Sequence, residues 1–150
     1  QQFKYHRQLT LAAPLARLMH RYLPPLSPDF APDFLVPIPL HPQRFAKRGF
    51  NQSAELALQL GHLRQIPVSF HCLARTIATP SQVGLNAQQR QHNLGHAFAV
   101  SCPVAGQKIV LIDDVMTTGT TLAQAAKTLL AAGAKQVDAW VFASTPAHFS

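Results

Sequence analysis

Apolar residues recur along the chain with two different periods, and these periods divide it into helices and strands. Between Leu9 and Leu23 they fall at Leu11, Leu15, Leu18, Met19 and Tyr22, a helical spacing that stops at the Pro24-Pro25 break. The run "DFLVPIPL" (33–40) reads as a short strand. Pro37 and Pro39 cannot donate ladder hydrogen bonds, so this strand is expected to end or lie open near them. A polar loop, "HPQRFAKRGFNQ", comes next. Helical spacing resumes at Ala54, Leu56, Ala57 and Leu60, with a stop expected at Gly61.

"PVSFHCLAR" (67–75) predicts a second strand. The stretch from Thr76 to Gly95 is polar and rich in Gln, Asn and Gly; loops of that length are commonly lids, binding loops or unstructured segments. "AFAV" predicts a short strand and "CPVAGQ" a turn. The last unit is the clearest. "IVLI" (109–112) is a continuous apolar run of the kind a parallel strand buried on both faces requires. "TLAQAAKTLLAA" has a helical pattern closed by Gly133, and "QVDAWVFAS" (136–144) is the next strand, with Trp140 and Phe142 expected to face the core. A strand-loop-helix-strand unit of this kind places the chain in the α/β class, with a mainly parallel central sheet flanked by helices.

Length and composition narrow the picture. At 150 residues, one domain with a real core is expected. Apolar residues make up 47% of the chain and charged residues 13%, against roughly 25% charged in an average soluble chain, which argues against disorder. Thirteen Lys and Arg against six acids give a net charge of +7, which suits an anionic partner. The positive charges are scattered apart from Arg44, Lys47 and Arg48, so the charge points to phosphate more than to a nucleic-acid module. Cys72 and Cys102 form no CxxC, and buried free thiols in a reducing cytoplasm are the expectation. No signal peptide and no membrane-spanning apolar run is visible. The eight histidines form no HExxH or close pair that would suggest zinc.

Candidate chemistry concentrates at the end of the "IVLI" run. Two of the six acids, Asp113 and Asp114, stand together there, and Thr117, Thr118, Gly119, Thr120 and Thr121 follow as a turn into the helix. Ligands of open α/β sheets sit outside the carboxyl ends of the strands. A helix start offers unpaired N–H groups and a positive dipole end, both suited to phosphate. Phosphate beside two carboxylates is repulsive unless they grip different parts of one ligand. A ribose 5-phosphate meets that condition, with phosphate in the turn and sugar hydroxyls on the acids. The competing reading has the acids merely capping the turn. A Walker B assignment fails because no GxxxxGK[ST] is present, and GxGxxG is absent too.

The stretch "VLIDDVMTTGTT" resembles the phosphoribosyl pyrophosphate (PRPP) signature of type I phosphoribosyltransferases, whose fold is Rossmann-like. "VPIPLHPQRFAKRGFNQSAELA" (36–57) is similar to the PxPxxxxRxxxRGFNQ core of the ComF/GntX-like family. Lys4-Tyr5 and the spaced Gln82, Arg90 and Asn93 resemble it as well. The resemblance implies one phosphoribosyltransferase-like domain over 1–150. ComF-like proteins usually carry a cysteine-rich, zinc-ribbon-like segment ahead of it, and with no CxxC here that segment is expected to be absent from this chain or cut away.

The resemblance also implies a reaction and a cast of residues. PRPP and Mg2+ would be bound, and phosphoribose passed to a nitrogenous base with release of pyrophosphate. Asp113 and Asp114 would hold the ribose hydroxyls and contact the metal. Thr117 to Thr121 would hold the 5-phosphate. Arg44, Lys47, Arg48, Gly49, Asn51 and Gln52 would attend the pyrophosphate, although Arg44 and Lys47 read equally well as a solvated basic edge. Phe50 would anchor that loop in the core. Gln82, Arg90 and Asn93 would belong to a hood over the ligand, or to an ordinary surface loop. ComF-like proteins are associated with competence, so DNA-uptake proteins are candidate partners, and direct nucleic-acid binding is a further one. The alternative is a PRPP- or nucleotide-sensing or interaction module without turnover. Either way the expected location is the cytoplasm, off the membrane.

Overall fold

The computed structural model describes residues 2–40, 46, 49–76, 97–116 and 118–144, with 2–10 as backbone only. Its elements in chain order are α1 (Gln2–Tyr22), β1 (Phe34–Pro37), α2 (Gln52–Arg64), β2 (Leu73–Arg75), β3 (Phe98–Val100), β4 (Lys108–Met116), α3 (Thr120–Ala131) and β5 (Gln136–Ser144). Strands β1, β4 and β5 form a parallel sheet in the order β1-β4-β5. Strands β2 and β3 pair antiparallel as a separate small sheet.

The central strand owes its place to its sequence. Ile109, Val110, Leu111 and Ile112 are each 0–1% exposed, so both faces of β4 are covered, as the unbroken apolar run requires. Alternation then sorts the core into two layers. Ile109 and Leu111, with Val36 and Ile38 of the β1 segment, pack with Leu122, Ala125 and Leu129 of α3 and with Leu73 and Phe98 of the small sheet. Val110 and Ile112, with Leu35 and Trp140, pack with Ala16 and Met19 of α1 and with Leu56, Ala57 and Leu60 of α2. Burial of each large side chain contributes about 1.5–3 kcal/mol. Asp33 sets the register at the strand starts: its N–H donates to the Lys108 carbonyl at 2.7 Å, and its Oδ2 accepts from the Lys108 N–H at 2.7 Å.

Four details depart from the sequence reading. The first helix starts at Gln2, earlier than Leu9, and runs through Pro14. The second helix passes Gly61 and ends only at Arg64, where Gln65 adopts the left-handed conformation (φ 55°). Gly61 marks a close approach instead of a stop, because a Cβ there would lie 2.6 Å from Val68 Cγ2 and 2.8 Å from the Ile66 carbonyl oxygen. Arg64 secures that helix end by donating to the Pro24 carbonyl and lying 5.0 Å from the Trp140 ring centroid.

The expected strand over 67–75 is divided between the two sheets. Val68 bridges parallel to Leu35, with Leu35 N–H donating to the Pro67 carbonyl and Ser69 N–H to the Leu35 carbonyl, each at 2.8 Å. The chain then bends and delivers Leu73–Arg75 to the small sheet.

Cys72 and Cys102 are not free thiols: a disulfide joins them. The Leu73–Val100 pairing of β2 and β3 brings the residue before one strand beside the residues after the other, a proximity that a separation of 30 residues conceals.

Two outcomes follow from this packing. Gly61→Ala should cost about 1–3 kcal/mol, because backbone as well as a side chain must give way, and the drop in Tm measures it. Cys72→Ala/Cys102→Ala should lose up to about 3.5 kcal/mol from loop-closure entropy. A reductant should lower the Tm of the parent protein and leave that variant unmoved; a parent indifferent to reductant would mean that the bond contributes nothing.

Candidate functional site

The carboxyl ends of β1 and β4 meet the first turn of α2, and two side chains tie them together. Asn51 caps α2: its Oδ1 accepts from Ser53 N–H at 3.0 Å and Ala54 N–H at 3.4 Å. Its Nδ2 donates to the Ile38 carbonyl at 3.0 Å, just past β1. Ser53, 4% exposed, donates its hydroxyl to Asp113 Oδ1 at 2.9 Å, and the Asp114 N–H donates to the same oxygen at 3.0 Å.

The two acids straddle the end of β4. Asp113 lines a small polar cavity with Val115, Met116 and the turn from Thr118 to Leu122. Asp114 lines an apolar groove on the other side, together with Phe50, Gln52 and Leu56 and with Leu11 and Leu15 of α1. Burial pushes the Asp113 carboxyl up to about 6 from an ordinary 3.8; the Ser53 hydrogen bond opposes the rise, and the neighbouring Asp114 charge adds to it.

The threonine turn opens α3 very differently from the way Asn51 opens α2. Gly119 occupies the N-cap position at φ 74° and offers no side chain to cap the helix. A Cβ there would meet nothing nearer than the Met116 sulfur at 3.5 Å, so it is the backbone conformation that calls for glycine. Thr118 and Thr120 hydroxyls bond each other at 2.9 Å, and the Thr120 N–H reaches Thr118 Oγ1 at 3.4 Å. The Ala123 N–H donates to the Gly119 carbonyl at 2.9 Å, which leaves the N–H groups of Thr121 and Leu122 without a bond among the described residues. Open N–H groups, a positive helix end and flanking hydroxyls are the chemistry that suits an anion.

Of the residues expected at the site, Asp113, Thr118, Gly119, Thr120 and Thr121 share one cavity. Asp114 and Gln52 share the groove. Gly49 has φ 76° in the turn before α2. Asn51 is engaged in capping, so the first N–H groups of α2 are not open in the way those of α3 are. Phe50 is half-buried and lines the groove with Asp114; it belongs to neither core cluster, so the expected anchor in the core is not found. Thr117, Arg44, Lys47, Arg48, Gln82, Arg90 and Asn93 lie outside the described residues. Sequence reasoning missed Ser53. Its only signal was a position two residues after a helix-capping Asn, which says nothing of a partner 60 residues away.

The donor set fits a magnesium ion. The Asp113 and Asp114 carboxyls interact although each lines a different pocket, and a divalent cation beside them would relieve the repulsion that adds to the rise at Asp113. Among the described residues no group of three or more His, Cys, Asp or Glu side chains forms a metal cage, so such an ion would depend on its ligand for most of its coordination. No helix among the described residues is long and apolar enough to cross a membrane.

A parallel sheet with flanking helices and a glycine-threonine turn at the carboxyl end of its middle strand defines the class, the type I phosphoribosyltransferase fold. Comparison with known proteins agrees. Residues 45–148 match the family described as the phosphoribosyl transferase domain. The chain is 37% identical over 147 residues to the DNA utilization protein YhgH of Salmonella typhi, covering 96% of this chain and 65% of that one. It is 32% identical over 146 residues to Competence protein F of Haemophilus influenzae, covering 93% and 64%. The chain thus spans just under two thirds of the length of these curated relatives. A purine phosphoribosyltransferase from Pyrococcus horikoshii superposes with a TM-score of 0.53 at 16% identity, over 93% of this chain and 74% of that one, a likeness of fold. The chain belongs to the phosphoribosyl transferase domain family and is ComF-like within it.

The raised Asp113 carboxyl has a direct consequence for stability. The folded state holds this proton up to about pH 6 and the unfolded chain releases it near 3.8, so the contribution of Asp113 becomes less favourable as pH rises through that window. Asp113→Asn, which still offers an acceptor to Ser53, should therefore raise the Tm of the ligand-free protein at pH 7.5. The gain should fade towards pH 4. A Tm difference that stays constant from pH 4 to 8 would contradict this account.

Proposed function

We propose that this protein binds PRPP with Mg2+ and transfers its phosphoribosyl group to a nitrogenous base, releasing pyrophosphate. The observation that carries the proposal is the uncapped start of α3 beside the carboxylate of Asp113, a phosphate site and a hydroxyl acceptor within one cavity. The N–H groups and hydroxyls of Thr118 to Thr121, with Thr117, hold the 5-phosphate. Asp113 and Asp114 accept from the ribose hydroxyls. The loop before α2, with Arg44, Lys47, Arg48, Gly49 and Gln52, receives the pyrophosphate, and Asn51 holds that loop against β1. When bound, magnesium supplies charge neutralisation to the departing pyrophosphate.

The bond made is between a base nitrogen and the anomeric carbon, and the bond broken is that carbon's link to pyrophosphate, which leaves with the electron pair. No protein nucleophile takes part, so the chain acts by positioning and electrostatics. A lid that excludes water fits this chemistry, and Gln82, Arg90 and Asn93 are its proposed contacts.

The names of the relatives favour a setting in DNA utilisation or competence. They also favour a second reading, in which the same cavity senses PRPP or a nucleotide without turnover inside DNA-uptake machinery, with proteins of that machinery or nucleic acid as partners. Cytoplasmic residence goes with both readings. The Cys72–Cys102 disulfide stands against that location, because cytosolic thiols are generally kept reduced.

Calorimetric titration of PRPP with Mg2+ tests the site. The parent protein should show micromolar-range heat, and Asp113→Asn/Asp114→Asn should lose it. With binding in hand, product formation across a panel of bases separates enzyme from sensor. A parent protein that gives no heat defeats both readings.

A further inference from the structure

Ser53 is one of two buried polar or charged side chains among the described residues, the other being Arg64. A buried hydroxyl needs a partner, and the surroundings of Ser53 decide which. Asn51 Oδ1 is taken up by the Ser53 and Ala54 N–H groups, so the hydroxyl is not used in capping its own helix. It reaches instead across the sheet end to Asp113 Oδ1, 2.9 Å away on another element. The Asp114 N–H already donates to that same oxygen.

Two donors on Oδ1 fix the plane of the carboxylate. Oδ2 receives no N–H or hydroxyl donor among the described residues, and Asp113, whose carboxyl also meets that of Asp114, lines the cavity of the threonine turn. An exposed aspartate rotates freely about its terminal torsion, and a carboxylate held in one orientation avoids that entropy loss when it meets its ligand. The same bond locks the start of α2 to the end of β4, so the loop entering α2 and the acid keep a fixed spacing.

We propose that Ser53 is a positioning residue that acts through Asp113, holding its carboxylate so that Oδ2 faces the ligand. The inference rests on the PRPP reading above and adds to it a residue outside the recognised motif of acids and threonines.

The test compares binding of Mg2+-PRPP to the parent protein and to Ser53→Ala, Ser53→Thr and Ser53→Val. Threonine and valine have the same shape and differ only in the hydroxyl, so a purely steric role for the position cannot separate them. Ser53→Thr should bind at least about tenfold more tightly than Ser53→Val, and Ser53→Ala should be about 10–160-fold weaker than the parent, the range for losing a hydrogen bond to a charged group. Melting temperatures taken alongside identify any variant whose loss reflects unfolding. Equal affinities of the threonine and valine variants overturn the proposal, as does an alanine variant that binds like the parent. A parent protein that does not bind Mg2+-PRPP overturns the functional reading, and this one with it, before any variant is compared.

Discussion

The structure depends on one strand buried on both faces. Ile109 to Ile112 give β4 nothing to show to water, so a helix layer must cover each side, and the other elements are placed by that need. Beyond Ile112 the apolar run gives way to two carboxylates, and there the covering layers end as well. Desolvation is thus the common cause of the core and of the site: the packing that buries Leu111 also half-buries Asp113 two residues on, and raises its carboxyl.

Two helices begin at that sheet end, and their contrast divides the chemistry. Helix α2 begins with a side-chain cap, its first N–H groups held by Asn51, whose amide also grips the chain after β1. Helix α3 begins with a glycine and no cap. A capped start is a rigid support, whereas an open one keeps its N–H groups free for a partner of negative charge. Of these two helices it is α3, whose first turn shares a cavity with Asp113, that carries the costlier arrangement, an uncapped helix end.

Much of this was legible from patterning. The continuous apolar run of β4 and the period-3.6 run of α3 indicated a parallel sheet flanked by helices, because there local preference and burial agree. The turn from Thr118 to Thr121 was legible for the same reason: glycine, hydroxyls and strand end are contiguous. Errors arose where meaning lay in long-range contact. Gly61 looked like a helix stop and is a contact with Val68; only the fold brings residue 68 back alongside the helix. The run from Pro67 to Arg75 looked like one strand because both sheets ask for the same residue types, and no local signal says where the chain changes partner. Cys72 and Ser53 were misread or missed because their partners are chosen by strand pairing and by helix placement, not by neighbours in sequence.

The disulfide bears on how the small sheet is held to the core. Residues 73–75 and 98–100 are short strands, and three pairs of residues are a weak sheet by themselves. Yet the two ends of a long polar segment both arise there. The pairing is reinforced from below: Cys72 is fully buried, Leu73 and Phe98 belong to the α3 side of the core, and the Ser101 N–H donates to the Cys72 carbonyl at 2.9 Å. Cys72 belongs to that core cluster and Cys102 packs against it, so the bond joins the sheet to the core. Whatever the segment between the strands does, its two ends are anchored to the same core that fixes β4. Asp113 is held separately, by Ser53 and the Asp114 N–H, so the anchoring of the small sheet and the orientation of the acid rest on different contacts.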